Sequence, residues 1–305
     1  MARSQDDLDA DFVVVGAGSA GSVLAARLSE DPGNRVVLLE AGGMDTNRWI
    51  HIPLGFGKTF ADPSVNWCFE TEPDAGAGGR KIFWPRGKVL GGSSSINGMV
   101  YIRGQAEDFD MWRQQGNTGW SFEDVLPYFI KSEYQTRGAD DFHGTDGSLS
   151  VSDVTEQGPL YEAFIRACER MGHKRNDDFN GATQEGVGYH QTTTRNGKRC
   201  STAVAYLHPA MKRPNLQVVT GALTERVLFE GAQATGVAFT QNGEHRVVHA
   251  RREVILCAGA IGSPHILMLS GVGPQEHLRD KGIQMVHHLP GVGPVSYTHL
   301  TLPTK

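Results

Sequence analysis

The sequence has only four cysteines, Cys68, Cys168, Cys200 and Cys257, and no CxxC pair. That scarcity and spacing exclude the usual zinc and dithiol motifs, and predict buried free thiols in a reducing compartment. Basic residues are few as well. Lys and Arg number 29 against 34 Asp and Glu, a formal charge of −5 without any basic run, so the electrostatic footprint of a nucleic-acid binder is missing. No apolar stretch approaches the roughly 18 residues of a membrane span, and the opening "MARSQDDLDADF" has no apolar signal-peptide core. A soluble, unexported protein working on small molecules is therefore expected, in the cytoplasm or attached peripherally to an inner membrane. The 12 histidines suggest no metal site, because none forms an HxxxH pair in a helical pattern with a carboxylate nearby. His287 and His288 are adjacent and, in a strand, would face opposite sides.

What is abundant is glycine, 38 residues in all, and its placement is informative near the start. "DFVVVG" is a β-branched run suited to a buried parallel strand. "SAGSVLAARLSE" follows with Ala20, Val23, Leu24 and Leu28 on one helical face, "DPGN" breaks the helix, and "RVVLLE" is a second strand. Gly16, Gly18 and Gly21 form GxGxxG between strand and helix, and Glu40 lies 19 residues past Gly21. The first glycine permits the tight turn, the second lets the backbone meet a pyrophosphate, and the third permits close helix packing, while Glu40 would accept hydrogen bonds from a ribose. This β-α-β unit predicts dinucleotide binding; by itself it leaves FAD and a nicotinamide cofactor both open.

Residues 42–86 carry Pro53, Pro63, Pro73 and Pro85 and read as loops and short hairpins. "RGKVLGGSSSINGMVYIRG", residues 86–104, follows, with five glycines and three consecutive serines. Glycine admits close backbone approach and serine bonds to nearby main chain, so this stretch is expected to set amides and hydroxyls against a bound dinucleotide in the manner of an anion nest. The alternative is a loop packed on the same sheet. Beyond it, "EDFDMWRQQG", "SFEDVLPYFIKSE" with Ser121 as N-cap, and "GPLYEAFIRACERMG" read as helices. A series of short β-rich runs from Asn215 predicts a meander leading into a buried strand, "EVILCAGA", and then a helical "IGSPHILMLSG".

With those residues in view, the chain resembles the glucose-methanol-choline (GMC) flavoprotein oxidoreductases, in particular their choline and alcohol dehydrogenase-like branch. "GKVLGGSSSINGMVYIRG" is similar to the family's first signature and "GAIGSPHILMLSGVGP" to its second. "FHGTDGSLSV" and "GKRCSTAVAYLHPAMKRPNLQVVTGALTERVLFEG" also follow its pattern, so the likeness runs from about Asp11 to Gly293. The resemblance implies an α/β fold: a Rossmann-like, three-layer FAD-binding domain, with a parallel sheet plus β-meander, and an incomplete α+β substrate domain. The FAD domain is expected in two parts, 1–145 and 213–293, around a first part of the substrate domain, 146–212.

The implied cofactor is FAD and the implied reaction is oxidation of an alcohol, with choline as a candidate, by hydride transfer to flavin. Carried over by position, Gly16, Gly18, Ser19, Ala20, Gly21, Glu40 and Ala41 would hold the ADP half. Val89, Gly92, Asn97, Gly98, Met99 and Val100 would lie along the flavin half, the Val227 backbone would touch adenine, and Ala258 and Gly259 would approach the cofactor. Family members with tethered flavin can carry histidine in the place of Ile96, and isoleucine cannot form that bond, so noncovalent FAD is expected. The electron acceptor, quinone or O2, is left open, as are two other readings: a flavin-binding lyase of the same fold and a noncatalytic flavin-binding fragment.

The ending departs from the family pattern. After "GVG" the residues "PVSYTHLTLPTK" replace a long continuation that carries the family's catalytic histidine. Residues 294–305 are thus expected to be a non-native tail, in which His299 lacks the context of a base. The expectation is an inactive N-terminal fragment with no catalytic residue of its own, with exposed apolar surface and poor solubility.

Overall fold

The computed structural model describes residues 7–294; the tail from residue 295 onwards, with His299, lies outside them. Cα packing divides the chain into two compact units, one built from the residues up to Asn47, Gly57–Ile96 and those from Thr202 onward, the other from Arg48–Phe56 and Asn97–Ser201.

The first unit is organised by one sheet. Its strands are β1 (Leu8–Val15), β2 (Val36–Leu39), β3 (Leu216–Val219), β4 (Ala222–Glu230), β5 (Gln233–Gln241) and β6 (Glu244–Leu256). They lie in the order β4-β5-β6-β1-β2-β3. β6, β1, β2 and β3 are mutually parallel, and β5 and β4 extend the sheet antiparallel. The expected meander runs into the "EVIL" strand within one element, since β6 pairs with β5 along Glu244–His249 and with β1 along Val248–Leu256; the burial expected of that strand is not met, as Val254, Ile255 and Leu256 are only half-buried. The β5–β6 hairpin turns at Asn242 and Gly243, both at positive φ, which suits a twisted two-residue connection.

Alternation splits the valine runs between two faces. Val13, Val15, Val37 and Leu39 share a buried cluster with Phe239, Val248 and Ile266, while Phe12, Val14, Val36 and Leu38 are buried on the other face. Continuous apolar strands follow from burial on both faces.

The helix α1 (Ser19–Leu28) joins β1 to β2, but its buried side is Gly21, Ser22, Ala25 and Ala26. The expected face of Ala20, Val23, Leu24 and Leu28 is exposed or half-buried. The helix lies too close to the β1 turn for larger side chains: a Cβ on Gly21 would sit 1.9 Å from the Gly16 carbonyl oxygen.

The second unit contains helices Ala106–Gln114, Phe122–Ser132 and Pro159–Arg170, with Glu133–Gln135 paired parallel to Leu149–Val151. Ser121 caps its helix as expected, in a reciprocal bond with Asp124. Leu160, Tyr161 and Phe164 of the Pro159–Arg170 helix are exposed. The boundaries of compactness fall at residues 96/97 and 201/202 and not at 145 and 212. The reason is bonding across residue 145: Glu133–Gln135 pairs with Leu149–Val151, and the Arg103 amide donates to Asn180 Oδ1 at 2.8 Å. All four cysteines are free, yet Cys200 alone among them is fully buried; the others are half-buried, against expectation.

Candidate cofactor-binding site

β1 is the point where the sheet's connections diverge, with β2 reached on one side through α1 and β6 on the other. Ligands in open α/β sheets bind beyond the carboxyl ends of the strands at such a switch point. Here the ends of β1 and β6 are in direct contact. Gly16, at φ +95°, would place a Cβ 2.6 Å from the Cys257 carbonyl oxygen and 2.9 Å from Ala258 Cα.

Two helices begin at these strand ends, α1 after Gly18 and the Gly259–Leu269 helix after Ala258. Neither has a side-chain cap, which leaves amide donors and the positive dipole ends available to an anion. Ser19, Ala20 and Gly259 are exposed around them, and Ala258 is half-buried.

The three glycines of the motif separate by cause. Gly16 and Gly21 are dictated from within, the first by positive φ and contact with Cys257, the second by the Gly16 carbonyl. Gly18 is different: its φ is −73° and an added Cβ would meet nothing nearer than the Cys257 oxygen at 3.9 Å. No contact inside the protein calls for glycine there, and the residues fit a dinucleotide pyrophosphate.

Glu40 has a task that the motif does not reveal. Its carboxylate is buried and accepts from the Ala17 amide at 2.8 Å through Oε2 and from the Gly42 amide at 2.8 Å through Oε1. Burial pushes its pKa up, opposed by those two amides and the Lys88 charge. It therefore ties the end of β2 to the β1 turn, and only its remaining lone pairs face the ribose role expected of it. Ala41, half-buried, follows it.

The serine-rich stretch packs onto this turn. Gly91 donates its amide to the Ala17 carbonyl at 2.8 Å, and a Cβ on Gly92, at φ +52°, would lie 2.7 Å from Gly18 Cα. The loop thus reaches the motif turn. Two of its hydroxyls are spent on its own frame, Ser95 donating to the Leu90 carbonyl and Ser94 to the Gly91 carbonyl, each at 2.6 Å, while exposed Ser93 only accepts, from the Gly87 amide at 3.1 Å. Of the expected row of outward hydroxyls, Ser93 is the one whose donor the loop does not use. Val89 is buried and bridges Gly43, so its side chain faces protein. The Val227 amide, part of the backbone expected at adenine, donates to Ser270 Oγ at 2.8 Å. Ser270, whose hydroxyl also donates to Ile266, was not foreseen.

In the second unit, Asn97, Gly98 and Val100 are exposed and Met99 is buried at φ +62°. Gly98 resembles Gly18, since an added Cβ would meet nothing within 4 Å and its φ is not positive.

A buried polar network in the same unit also went unforeseen, although "FHGTDGSLSV" contains its histidine. Glu133 Oε2 accepts from Arg103 Nη2 at 2.8 Å and faces His143 Nδ1 at 2.9 Å; His143 Nε2 faces Asp178 Oδ2 at 3.0 Å. The bonds to Asp178 and Glu133 push the His143 pKa up to about 9. Asp140, His143 and Asp178 offer ligand atoms within 4.8 Å of one another. An imidazolium engaged at both nitrogens has no lone pair for a metal, so the cluster is an ion-paired brace.

Fold and site together define a dinucleotide-binding α/β protein. The GMC oxidoreductase family model matches residues 10–301, and the chain belongs to that family. It is 49% identical over 296 residues to the mitochondrial choline dehydrogenase of Mus musculus, covering 95% of this chain and 50% of that protein. It is 48% identical over 295 residues to an alcohol dehydrogenase [acceptor] of Pseudomonas putida, covering 96% and 53%. A solved FAD-dependent oxidoreductase from Chaetomium thermophilum superimposes with a TM-score of 0.86 at 32% identity, covering 92% of this chain and 51% of that one. The chain thus spans about half the length of the relatives it matches.

Proposed function

We propose that this chain forms the FAD-binding part of a flavoprotein that oxidises a small alcohol, with choline as the leading candidate, and that it holds FAD noncovalently. Gly18 carries the reading: a glycine required by neither φ nor its neighbours, at the open N-terminus of α1 and at the sheet's switch point. FAD supplies the hydride acceptor. The chain's own residues bind and orient it, with Gly18, Ser19, Ala20 and Gly259 at the pyrophosphate and Asn97, Gly98, Met99 and Val100 assigned to the flavin on the family pattern. The similarity to choline and alcohol dehydrogenases supports the substrate class. Ile96 is buried and apolar and offers no nucleophile to the ring, which supports a dissociable cofactor.

Titration of FAD into the purified chain, followed by acid precipitation, tests the first part: flavin should be taken up and then recovered in the supernatant. A protein extended to the length of its relatives should, without oxygen, lose its oxidised-flavin absorbance on mixing with choline or a primary alcohol. Retained flavin colour with every alcohol would overturn the redox reading and favour a lyase.

A further inference from the structure

We propose that Arg199 is a positioning residue that fixes the Asn97–Val100 segment in the form it presents to the flavin; this rests on the reading above that the segment touches flavin. Arg199 is 2% exposed, the bulkiest of the wholly buried side chains. Its Nε donates to the Ile50 carbonyl at 2.7 Å and its Nη1 donates to Asn97 Oδ1, also at 2.7 Å. The same Asn97 oxygen accepts from the Met99 amide at 3.1 Å. One carbonyl oxygen, held from behind by a guanidinium, thereby closes a turn across Gly98.

The turn needs holding. Met99 sits at φ +62°, a left-handed conformation that side-chain-bearing residues rarely adopt, and such conformations persist only where the surroundings over-determine them. Here the surroundings are the two arms of the hairpin that carries Arg199. Thr193 donates its amide to the Met99 carbonyl, Cys200 donates to the Thr193 carbonyl, each at 2.9 Å, and Val100 bridges Thr192. Arg199 itself is placed by a hairpin, Thr194–Arg195 with Lys198–Arg199, turning through Asn196 and Gly197 at positive φ.

The exposed side of the turn is where glycine has no internal cause: Gly98 is open, flanked by exposed Asn97 and Val100. A buried cation behind, a single shared oxygen between, and an open glycine in front are the arrangement of a preorganised contact surface. The planar fork is needed because one nitrogen must reach Ile50 and another Asn97 at once. A lysine ammonium cannot reproduce that geometry.

The test uses the chain reconstituted with FAD, reading the dissociation constant and the visible band shape of bound flavin. R199K and N97A should each weaken FAD by about tenfold, the size of one lost charge-assisted hydrogen bond. Both should alter the flavin band in the same way, and the double variant should be no weaker than either single one, since the residues act through one bond.

If R199K is folded by circular dichroism with an unchanged band and affinity while N97A loses flavin, the inference fails and the flavin reading stands. Effects that multiply in the double variant would also overturn it. Should R199K not fold, N97A, which alters an exposed side chain, still decides: an unchanged band and affinity there would sink the proposal. A wild-type chain that takes up no FAD overturns the flavin reading itself, and this inference with it.

Discussion

Gly18 and Gly21 stand three residues apart in one motif and answer to different constraints, so the same substitution should separate them. Gly21→Ala drives a methyl to within 1.9 Å of a carbonyl oxygen and should cost at least about 2 kcal/mol in urea unfolding. Gly18→Ala meets nothing inside the protein and should cost less than about 1 kcal/mol, the size of an N-cap change, while weakening FAD by about tenfold or more, measured by flavin fluorescence. At His143 the variable is pH. Its pKa is raised from 6.5 to about 9 in the folded state, so the charged imidazole contributes fully below about pH 6.5 and its contribution is lost as pH rises through about 9. Unfolding free energy should fall by roughly 3 kcal/mol over that window, and the slope should be absent in His143→Gln. At high pH Glu133 keeps Arg103 as its partner, so the loss is a weakening of the brace and not its collapse.

Elements in this protein are joined by few, specific bonds as well as by apolar packing. Ser270 is the clearest: its buried hydroxyl donates to the Ile266 carbonyl at the end of the Gly259–Leu269 helix and accepts from the Val227 amide in β4. Ser270→Ala strands a buried amide and should destabilise by about 1–3 kcal/mol, read as a lower urea midpoint with unchanged slope. The sequence shows a serine before a glycine at a helix end, which reads as an ordinary stop, and nothing in it points to β4. The α1 surface teaches the same lesson. Apolar spacing selected Ala20, Val23, Leu24 and Leu28, yet small Gly21, Ser22, Ala25 and Ala26 are the ones inside, because the distance between helix and strand, and not hydrophobicity, sets which side chains fit.

For the molecule as a whole, a ligand that binds only the folded chain stabilises it by mass action. FAD at about a hundred times its dissociation constant should add about 2.7 kcal/mol, seen as a concentration-dependent rise in unfolding temperature that Gly18→Ala displaces to higher FAD. The β-α-β unit, the capped Ser121 helix and the β-rich run after Asn215 were all legible locally, since strand and helix periods, caps and turns are short-range signals. The division into units was not, because pairing of Glu133–Gln135 with Leu149–Val151 and of Arg103 with Asn180 joins residues on both sides of the expected break.

The sequence by itself determined that residues 8–39 form a Rossmann-like unit and that a glycine motif and an acid follow its strands with the spacing of a dinucleotide site, because spacing along one strand, turn and helix is fixed by backbone geometry. Only the tertiary structure decided what each of those residues does. It separated the glycines forced by neighbours from Gly18 and Gly98, which no neighbour forces. It turned Glu40 inward onto Ala17 and Gly42, and set Arg199 behind Asn97 across 102 residues of chain. Such roles depend on distances through space between residues remote in sequence, and no local pattern carries them.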